Sequence, residues 1–471
     1  MEPSKTEVVV IGGGPGGYAA AFYAADLGRK VTLVEMDRLG GVCLNRGCIP
    51  SKALLHATKM IAEARESAHR GISFGEATVD LDRLRAWKDS ILEKLTGGVA
   101  LIAKKRGVEV LAGRGHFEDA HTLRVETAGG QRFLGFDHAI IATGSLPALP
   151  RAFDLANPRI MTSTEALEVP DIPERLLVIG GGYIGMELGT VYATLGSRVT
   201  MIETLDTILA GADADLVRPV LQYAKKAFAE LRTQTKVVSM ATAGPQIRVT
   251  SERDGQQTGE LYDRVLVSVG RRPNADGLGL ENTGVERDEK GFIKVDGNLE
   301  TTEPGIYAIG DIAGGLLLAH KASREARIAV EHLCEGAPGL RDFIIPAVVF
   351  TDPEVAWAGL TEAEAKARGL EVEVAKFPWG ASGRALTFDR VDGLTKLIIE
   401  PGTERLLGVG LVGHGAGELI GEAVVALEMG ASVSDLAHCV HAHPTLSETL
   451  MEAAEAYFGH STHTLSKKRG A

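Results

Sequence analysis

The sequence predicts an α/β chain, with two Rossmann-like dinucleotide-binding domains followed by a C-terminal α+β domain, and three observations carry that expectation. The stretches "VVVIGGGPGGYAAAFYAADLGRKVTLVE" (8–35) and "LLVIGGGYIGMELGTVYATLGSRVTMIE" (176–203) are near-copies of each other. Each passes from an apolar β-branched run through GxGxxG into helical spacing, then into a second apolar run that ends in Glu. Beyond about residue 344, strand-like and helical runs alternate, in "IPAVVFTDPEVAWAGLTEAEA" and later "GAGELIGEAVVALEMG", as an α+β unit requires.

Size and charge narrow the class. A chain of 471 residues exceeds what one hydrophobic core supports, so three or four domains are expected. Lys and Arg number 50 against 62 Asp and Glu, a net charge of −12. That balance argues against nucleic acid or an anionic membrane as the main partner and suits basic partners better. No apolar stretch approaches the roughly 20 residues that span a bilayer, which points to a soluble, cytoplasmic protein.

In each near-copy the first glycine, Gly12 or Gly180, permits the tight turn. The second, Gly14 or Gly182, lets backbone approach a pyrophosphate, and the third, Gly17 or Gly185, lets helix pack on strand. Free N–H groups and the helix dipole then favour the phosphates. Glu35 and Glu203 follow about 20 positions on, where ribose hydroxyls are expected. Two such sites imply two dinucleotides. The first lies close in sequence to a cysteine pair and is expected to hold the resident cofactor. After Glu203, "TLDTILAGAD" offers no Arg or Lys for a 2′-phosphate, and Gly185 stands where NADP sites often carry Ala, so the second site should prefer NAD.

"HAIIATGSLPALP" (138–150) and "DRVLVSVGRRPN" (263–274) are each an apolar strand reaching Gly and leaving through Pro, as if closing a nucleotide-binding domain. Thr143 and Gly144 in the first, and Gly270 in the second, become candidate cofactor contacts. "TTEPGIYAIGDIA" (301–313) ends a strand in Gly-Asp, where Asp311 either caps a following helix or binds a sugar-alcohol chain.

Cys43 and Cys48 stand in "GGVCLNRGCIPSK" (40–52). Zinc would need a second pair of Cys or His at ligand spacing, and none is near, so no metal site is expected. The CxxC redox spacing is absent too. What remains is a disulfide closing a very small loop. Residues five apart on a regular helix have Cα atoms roughly 8–9 Å apart, beyond the usual disulfide limit of about 7 Å. The helix must therefore be distorted, and Gly47 and Pro50 would allow it. Strain makes such a bridge easier to reduce, and a nearby helix N-terminus would stabilise the thiolate released. Cys334 and Cys439 are isolated and read as small buried apolar residues.

Near the C-terminus, "HAHPTLSE" (441–448) places His443 before Pro444, with Glu448 five positions beyond. A residue before Pro is held extended, which favours His443 over His438 and His441. Glu448 could fix its tautomer and favour its protonated form. His414 reads as a loop residue.

Taken together, these motifs resemble the flavin-dependent pyridine nucleotide-disulfide oxidoreductases along essentially the whole chain, most specifically in the 40–52 run. Within them the resemblance is to the branch that oxidises protein-bound dihydrolipoyl groups with NAD⁺. It implies FAD at the first site, Cys43 as the interchange thiol and Cys48 as the thiol beside the flavin. It further implies that Lys52 pairs with Glu187 near the reactive nitrogen, that Asp311 binds the ribityl chain, and that "LAHKA" (318–322), including Ala319, lines the ring.

The His443–Pro444 bond is implied to be cis, and the His443–Glu448 dyad is implied to reach the disulfide of a second copy, which makes a homodimer. The implied domains are 1–148 for FAD, 149–273 for NAD, 274–343 completing the FAD site and 344–471 for dimerisation. Implied partners are the lipoylated acyltransferase of a 2-oxo acid dehydrogenase complex or the lipoyl protein of glycine cleavage, and the chain is expected to carry no lipoyl domain itself. Arg46 stands where many relatives have an apolar residue. Two alternatives remain: a sister reductase for glutathione, mercuric ion or thioredoxin, and a non-catalytic NAD-sensing flavoprotein. Glu203 disfavours the NADP expected of glutathione reductases, and the tail "YFGHSTHTLSKKRGA" lacks the Cys of the mercuric and large thioredoxin enzymes.

Overall fold

A computed structural model of the chain describes residues 3–339 and 343–465. The outermost ends of the terminal domains (1–2 and 466–471) and the stretch 340–342 beside the expected boundary at 343/344 lie outside it.

The first sheet takes its parallel strands in the order Glu109–Ala112, Val31–Glu35, Ser4–Ile11, Gly130–Ile141, Ile306–Ala308. Thr122–Thr127 pairs antiparallel with Gly130–Ile141, and Arg114–Asp119 pairs antiparallel with Thr122–Thr127. Ser4–Ile11 sits in the middle because both of its faces are apolar. Val8 and Val10 pack beneath the helices with Ala20, Ala24 and Ala329, while Val9 and Ile11 pack with Phe117, Leu123 and Ile306. Each such burial contributes roughly 1.5–3 kcal/mol. Val10→Asp would put an unpaired carboxylate into this layer and break it.

The second sheet repeats the plan in the order Glu230–Arg232, Arg198–Ile202, Arg175–Ile179, Arg264–Val267, Ile160–Met161. Its antiparallel part, Lys236–Ala243, Gln246–Arg253 and Gln256–Tyr262, stands as a separate three-stranded sheet. The fifth strand differs in origin, coming from residues 306–308 in the first sheet and from 160–161 in the second.

The third sheet is antiparallel, ordered Ala347–Val349, Glu354–Gly359, Leu406–Gly413, Leu394–Ile399, Glu373–Pro378. The helices Ala416–Glu428 and Glu448–Phe458 share its core with Phe377, Trp379, Leu397 and Tyr457. It is bound to the second unit by one continuous apolar cluster holding Leu54, Val178, Met186, Val349 and Val412. It is also bound by Lys396, whose ammonium lies 2.7 Å from Asp213 and 3.0 Å from Asp215 and pairs with Glu362. Asp213, Asp215 and Glu362 are close enough to share a cation, and Lys396 supplies it.

Among the described residues no helix is long and apolar enough to cross a membrane. Two expectations need correction. Cys334 is half-buried in the last turn of the helix Ala319–Glu335, and Cys439 is exposed, because its helix Val433–His438 ends there and the chain turns away extended. Asp311 caps no helix: it lies inside a short turn, Gly310–Ala313, and the next helix starts at Ala319 after Leu318.

Candidate active site

The two fingerprint turns are built alike. Gly12 and Gly180 have φ of +102° and +105°, and a Cβ on either would come within 2.4 Å of a carbonyl oxygen, Ala142 O or Ser268 O. A Cβ on Gly17 or Gly185 would fall 1.8 or 2.0 Å from the Gly12 or Gly180 oxygen, so only glycine lets each helix start against its strand. Gly182 by contrast faces open space, as a position reserved for backbone approach should. Glu35 accepts the Gly13 N–H at 2.6 Å and the Asp37 N–H at 2.8 Å. Glu203 accepts the Gly181 and Leu205 N–H groups at the same distances.

Around the first turn these elements enclose a cavity of about 520 Å³. Gly12, Gly14, Glu35, Cys43, Cys48, Lys52, Thr143, Gly144, Asp311 and Ala319 line it, with Glu187 and Tyr183 reaching in from the second unit. Thr143 Oγ1 is buried without a hydrogen-bond partner among the described residues, a polar atom waiting for one. The size, the glycine turn, the anchored Glu35 and this orphan hydroxyl fit a dinucleotide such as FAD. Gly180, Gly182, Glu203 and Gly270 do not line the cavity.

The cysteines sit on two helices rather than one. Gly41–Arg46 stops at Gly47, and Cys48 begins Cys48–Glu66, with Pro50 in its first turn where no N–H is required. A Cβ at Gly47 would press to 3.0 Å from the Val42 oxygen, which reserves the break for glycine. Both cysteines are free thiols in this structure. Cys48 opens onto the cavity but is walled by protein on most sides. A hydrogen bond from Cys43 lowers its pKa, outweighing burial, and the Lys52 charge helps. The same bond, with burial, pushes Cys43 up. The pair therefore loses its first proton at Cys48.

Lys52 Nζ lies 2.8 and 3.0 Å from the Glu187 carboxylate, which is 3% exposed. Asp311 receives a hydrogen bond from Ser145 Oγ, and Arg271 in turn donates to Ser145 Oγ at 2.6 Å and Ser145 O at 2.7 Å. Arg271 and Ser145 are in the two Pro-containing exits, which pair antiparallel as Ser145–Pro147 and Arg271–Pro273. Their matched form was the signal that could have linked them. Arg46 forms an ion pair with Asp37 at the cavity rim.

His443 lies outside this cavity. Its Nδ1 is 2.9 Å from Glu448, which also accepts the Thr445 N–H at 2.7 Å, and its side chain is 71% exposed. Burial works against ionising Glu448, but the Thr445 N–H and His443 outweigh it and hold the carboxyl below its usual range. The His443–Pro444 bond is cis. His441 is tied through both ring nitrogens, to the Cys439 oxygen and Glu422, and His438 Nδ1 meets only the Ser434 oxygens, whereas His443 has a carboxylate on Nδ1 and no partner on Nε2 among the described residues. His414 sits in the turn after Leu406–Gly413.

Residues 6–326 match the pyridine nucleotide-disulphide oxidoreductase family, and residues 345–454 match that family's dimerisation domain. The chain is 46% identical over 466 residues to the dihydrolipoyl dehydrogenase of Vibrio parahaemolyticus, covering 98% of both. It is 47% identical over 466 residues to that of Thermus scotoductus, covering 98% of this chain and 99% of the relative. Among solved structures, LpdA from Mycobacterium tuberculosis superposes with a TM-score of 0.88 at 29% identity, covering 96% of this chain and 99% of that one. The HOCl-induced flavoprotein disulfide reductase RclA from Escherichia coli gives 0.84 at 27% identity, covering 94% and 98%.

Proposed function

Because the chain belongs to the pyridine nucleotide-disulphide oxidoreductase family, we propose that it oxidises protein-bound dihydrolipoyl groups with NAD⁺, giving lipoyl disulfide, NADH and a proton. The observation that carries this is the grouping of Cys43, Cys48, Lys52 and Glu187 in one cavity with the first nucleotide turn. Relatives named for this activity match at 46–47% identity, against 27% for the RclA reductase, which favours it over a sister reductase.

His443 of the partner subunit takes the proton of one substrate thiol at Nε2, and Glu448 holds the imidazole through Nδ1. The substrate thiolate attacks Cys43, the Cys43–Cys48 bond breaks, and Cys48 leaves as a thiolate. The second substrate thiol then attacks the mixed disulfide. Oxidised lipoyl leaves, and Cys43 takes a proton. This end state is the one in which Cys48 is the more acidic thiol. FAD, held by Gly12, Gly14, Glu35, Thr143 and Asp311, would supply the two-electron chemistry that links the reduced cysteines to NAD⁺. Lys52 keeps a positive charge beside the thiolate, and Glu187 holds Lys52 in place.

A dimer follows from the dimerisation domain. Val425, Met429 and Val440 of that domain are apolar and exposed at 63%, 80% and 98%, and we place them in the contact. We assign 1–148 and 274–343 to the FAD site, 149–273 to NAD and 344–471 to dimerisation. The reading extends to a cytoplasmic enzyme serving a 2-oxo acid dehydrogenase acyltransferase or a glycine-cleavage lipoyl protein.

Cys43→Ser should keep its flavin and lose turnover of dihydrolipoamide with NAD⁺; normal turnover would refute the reading. Mixing Cys43→Ser chains with His443→Gln chains tests the shared site. Random reassociation restores about a quarter of the wild-type sites if each site draws on both chains, and none if each site is built from one chain.

A further inference from the structure

Phe350 is the residue after the strand Ala347–Val349, more than 160 positions from Glu187 and nearly 300 from Lys52 in sequence. Its backbone N–H donates to Glu187 Oε1 at 3.0 Å, and the Lys52 Nζ stands 4.5 Å from its ring centroid. The buried ion pair therefore has a third wall. Lys52 is fixed by two carboxylate contacts and an aromatic face, and the carboxylate is fixed by the ammonium and a main-chain donor. A cation over a ring face is held by the ring quadrupole, more strongly as water is removed.

The segment carrying Phe350 is itself anchored. Asp352, two residues on, is ion-paired with Arg390, whose side chain is 12% exposed. Glu354 accepts the Gly417 N–H at 3.0 Å. A side chain at Gly417 would meet Val348 at 2.9 Å and the Phe350 ring at 3.4 Å, so the start of the helix Ala416–Glu428 backs the ring closely. This helix carries the exposed Val425 of the proposed dimer face.

We propose that Phe350 is a positioning residue for the disulfide chemistry, its ring and backbone N–H together holding Lys52 and Glu187 in the orientation that keeps the ammonium beside Cys48. The inference rests on the redox role given to Cys48 and Lys52 above. The C-terminal domain would thus contribute to each half of the reaction: His443 toward the partner's cysteines, and Phe350 toward its own.

The groups facing Cys48 are Cys43 on the preceding helix, Lys52 one turn on, and Glu187 and Tyr183 on the helix of the second unit. Displacing Lys52 should therefore make the Cys48 thiolate harder to form. The test measures the pH dependence of Cys48 alkylation by iodoacetamide in the reduced Cys43→Ser holoprotein, read at Cys48 by peptide mass mapping. Phe350→Leu should raise the midpoint by about half a pH unit, about a threefold loss of thiolate at fixed pH, in keeping with one cation–π contact. Phe350→Tyr should restore it. Trifluorophenylalanine at 350, which keeps the shape and weakens the ring quadrupole, should reproduce the rise even if Phe350→Leu fails to fold.

In a Lys52→Met background none of these changes should move the midpoint further. If Lys52→Met shifts the midpoint but the leucine and fluorinated variants do not, the Phe350 inference is overturned while the redox assignment stands. If Lys52→Met itself has no effect, the assignment of Lys52 falls, and this inference falls with it.

Discussion

The two nucleotide-binding units share the order of their first four parallel strands, one glycine turn and one carboxylate anchored by the same two backbone contacts, and a roofed cavity of about 520 Å³ stands over the first. The turn fixes where phosphates and a ribose go. What lies above the turn decides whether the ligand stays. Over the first lie the two cysteine helices, the Gly310–Ala313 turn and the start of the second unit's helix; Gly182 in the second faces open space. On the proposed assignment, a resident cofactor and an exchanging substrate are told apart by the roof, not by the motif.

That contrast can be broken most forcefully at the third glycines. Gly17→Val would force its Cβ to within 1.8 Å of the Gly12 oxygen. The cost should be about 4 kcal/mol or more, read as loss of yellow holoprotein on purification. Gly185→Val makes an equivalent clash at 2.0 Å in the second unit and should collapse NAD⁺ binding with a smaller loss of flavin, since only Tyr183, Ile184, Glu187 and Leu188 of its helix reach the first cavity. Equal flavin loss in both variants would end the distinction. The carboxylates sharpen it more gently. Glu203→Ala should raise the KM for NAD⁺ about tenfold with flavin content unchanged, the scale of one or two lost charge-assisted hydrogen bonds. Glu35→Ala should do the reverse, releasing flavin on dilution with the NAD⁺ KM intact.

The smallest effect is in pH. Cys48 is lowered to about 7 by the Cys43 hydrogen bond and the Lys52 charge, against an ordinary 9.0. In the reduced protein its alkylation should therefore rise through neutrality and level off where a free thiol is only beginning to ionise. A midpoint near the ordinary value would remove the electrostatic difference between the two cysteines.

Much of this was legible in the sequence, for physical reasons. Gly12, Gly17, Gly180 and Gly185 announce themselves because a Cβ there would strike a carbonyl oxygen, both glutamates because they recur at the same place in the two near-copies, and the break at Gly47 followed from the geometric limit on a disulfide. The Lys52–Glu187 pair was reached only by resemblance, since no local pattern links residues on different domains. Phe350 gave no signal at all: its backbone N–H makes the contact to Glu187, and main-chain donors leave no mark in composition. The exposure of Cys439 was missed because small apolar character says nothing about a helix ending beneath it.

The strand Ile306–Ala308 closes a sheet whose other members all precede residue 142. On the ribosome the first unit must therefore wait, one edge unpaired, while the whole second unit is made, on the order of ten to thirty seconds at usual elongation rates. Asp311 arrives with that same late segment. On the proposed assignment of Asp311 to the flavin, its capture is scheduled after the second unit has had time to fold, and a translational pause before residue 306 would lengthen the period in which the nascent chain is open to aggregation.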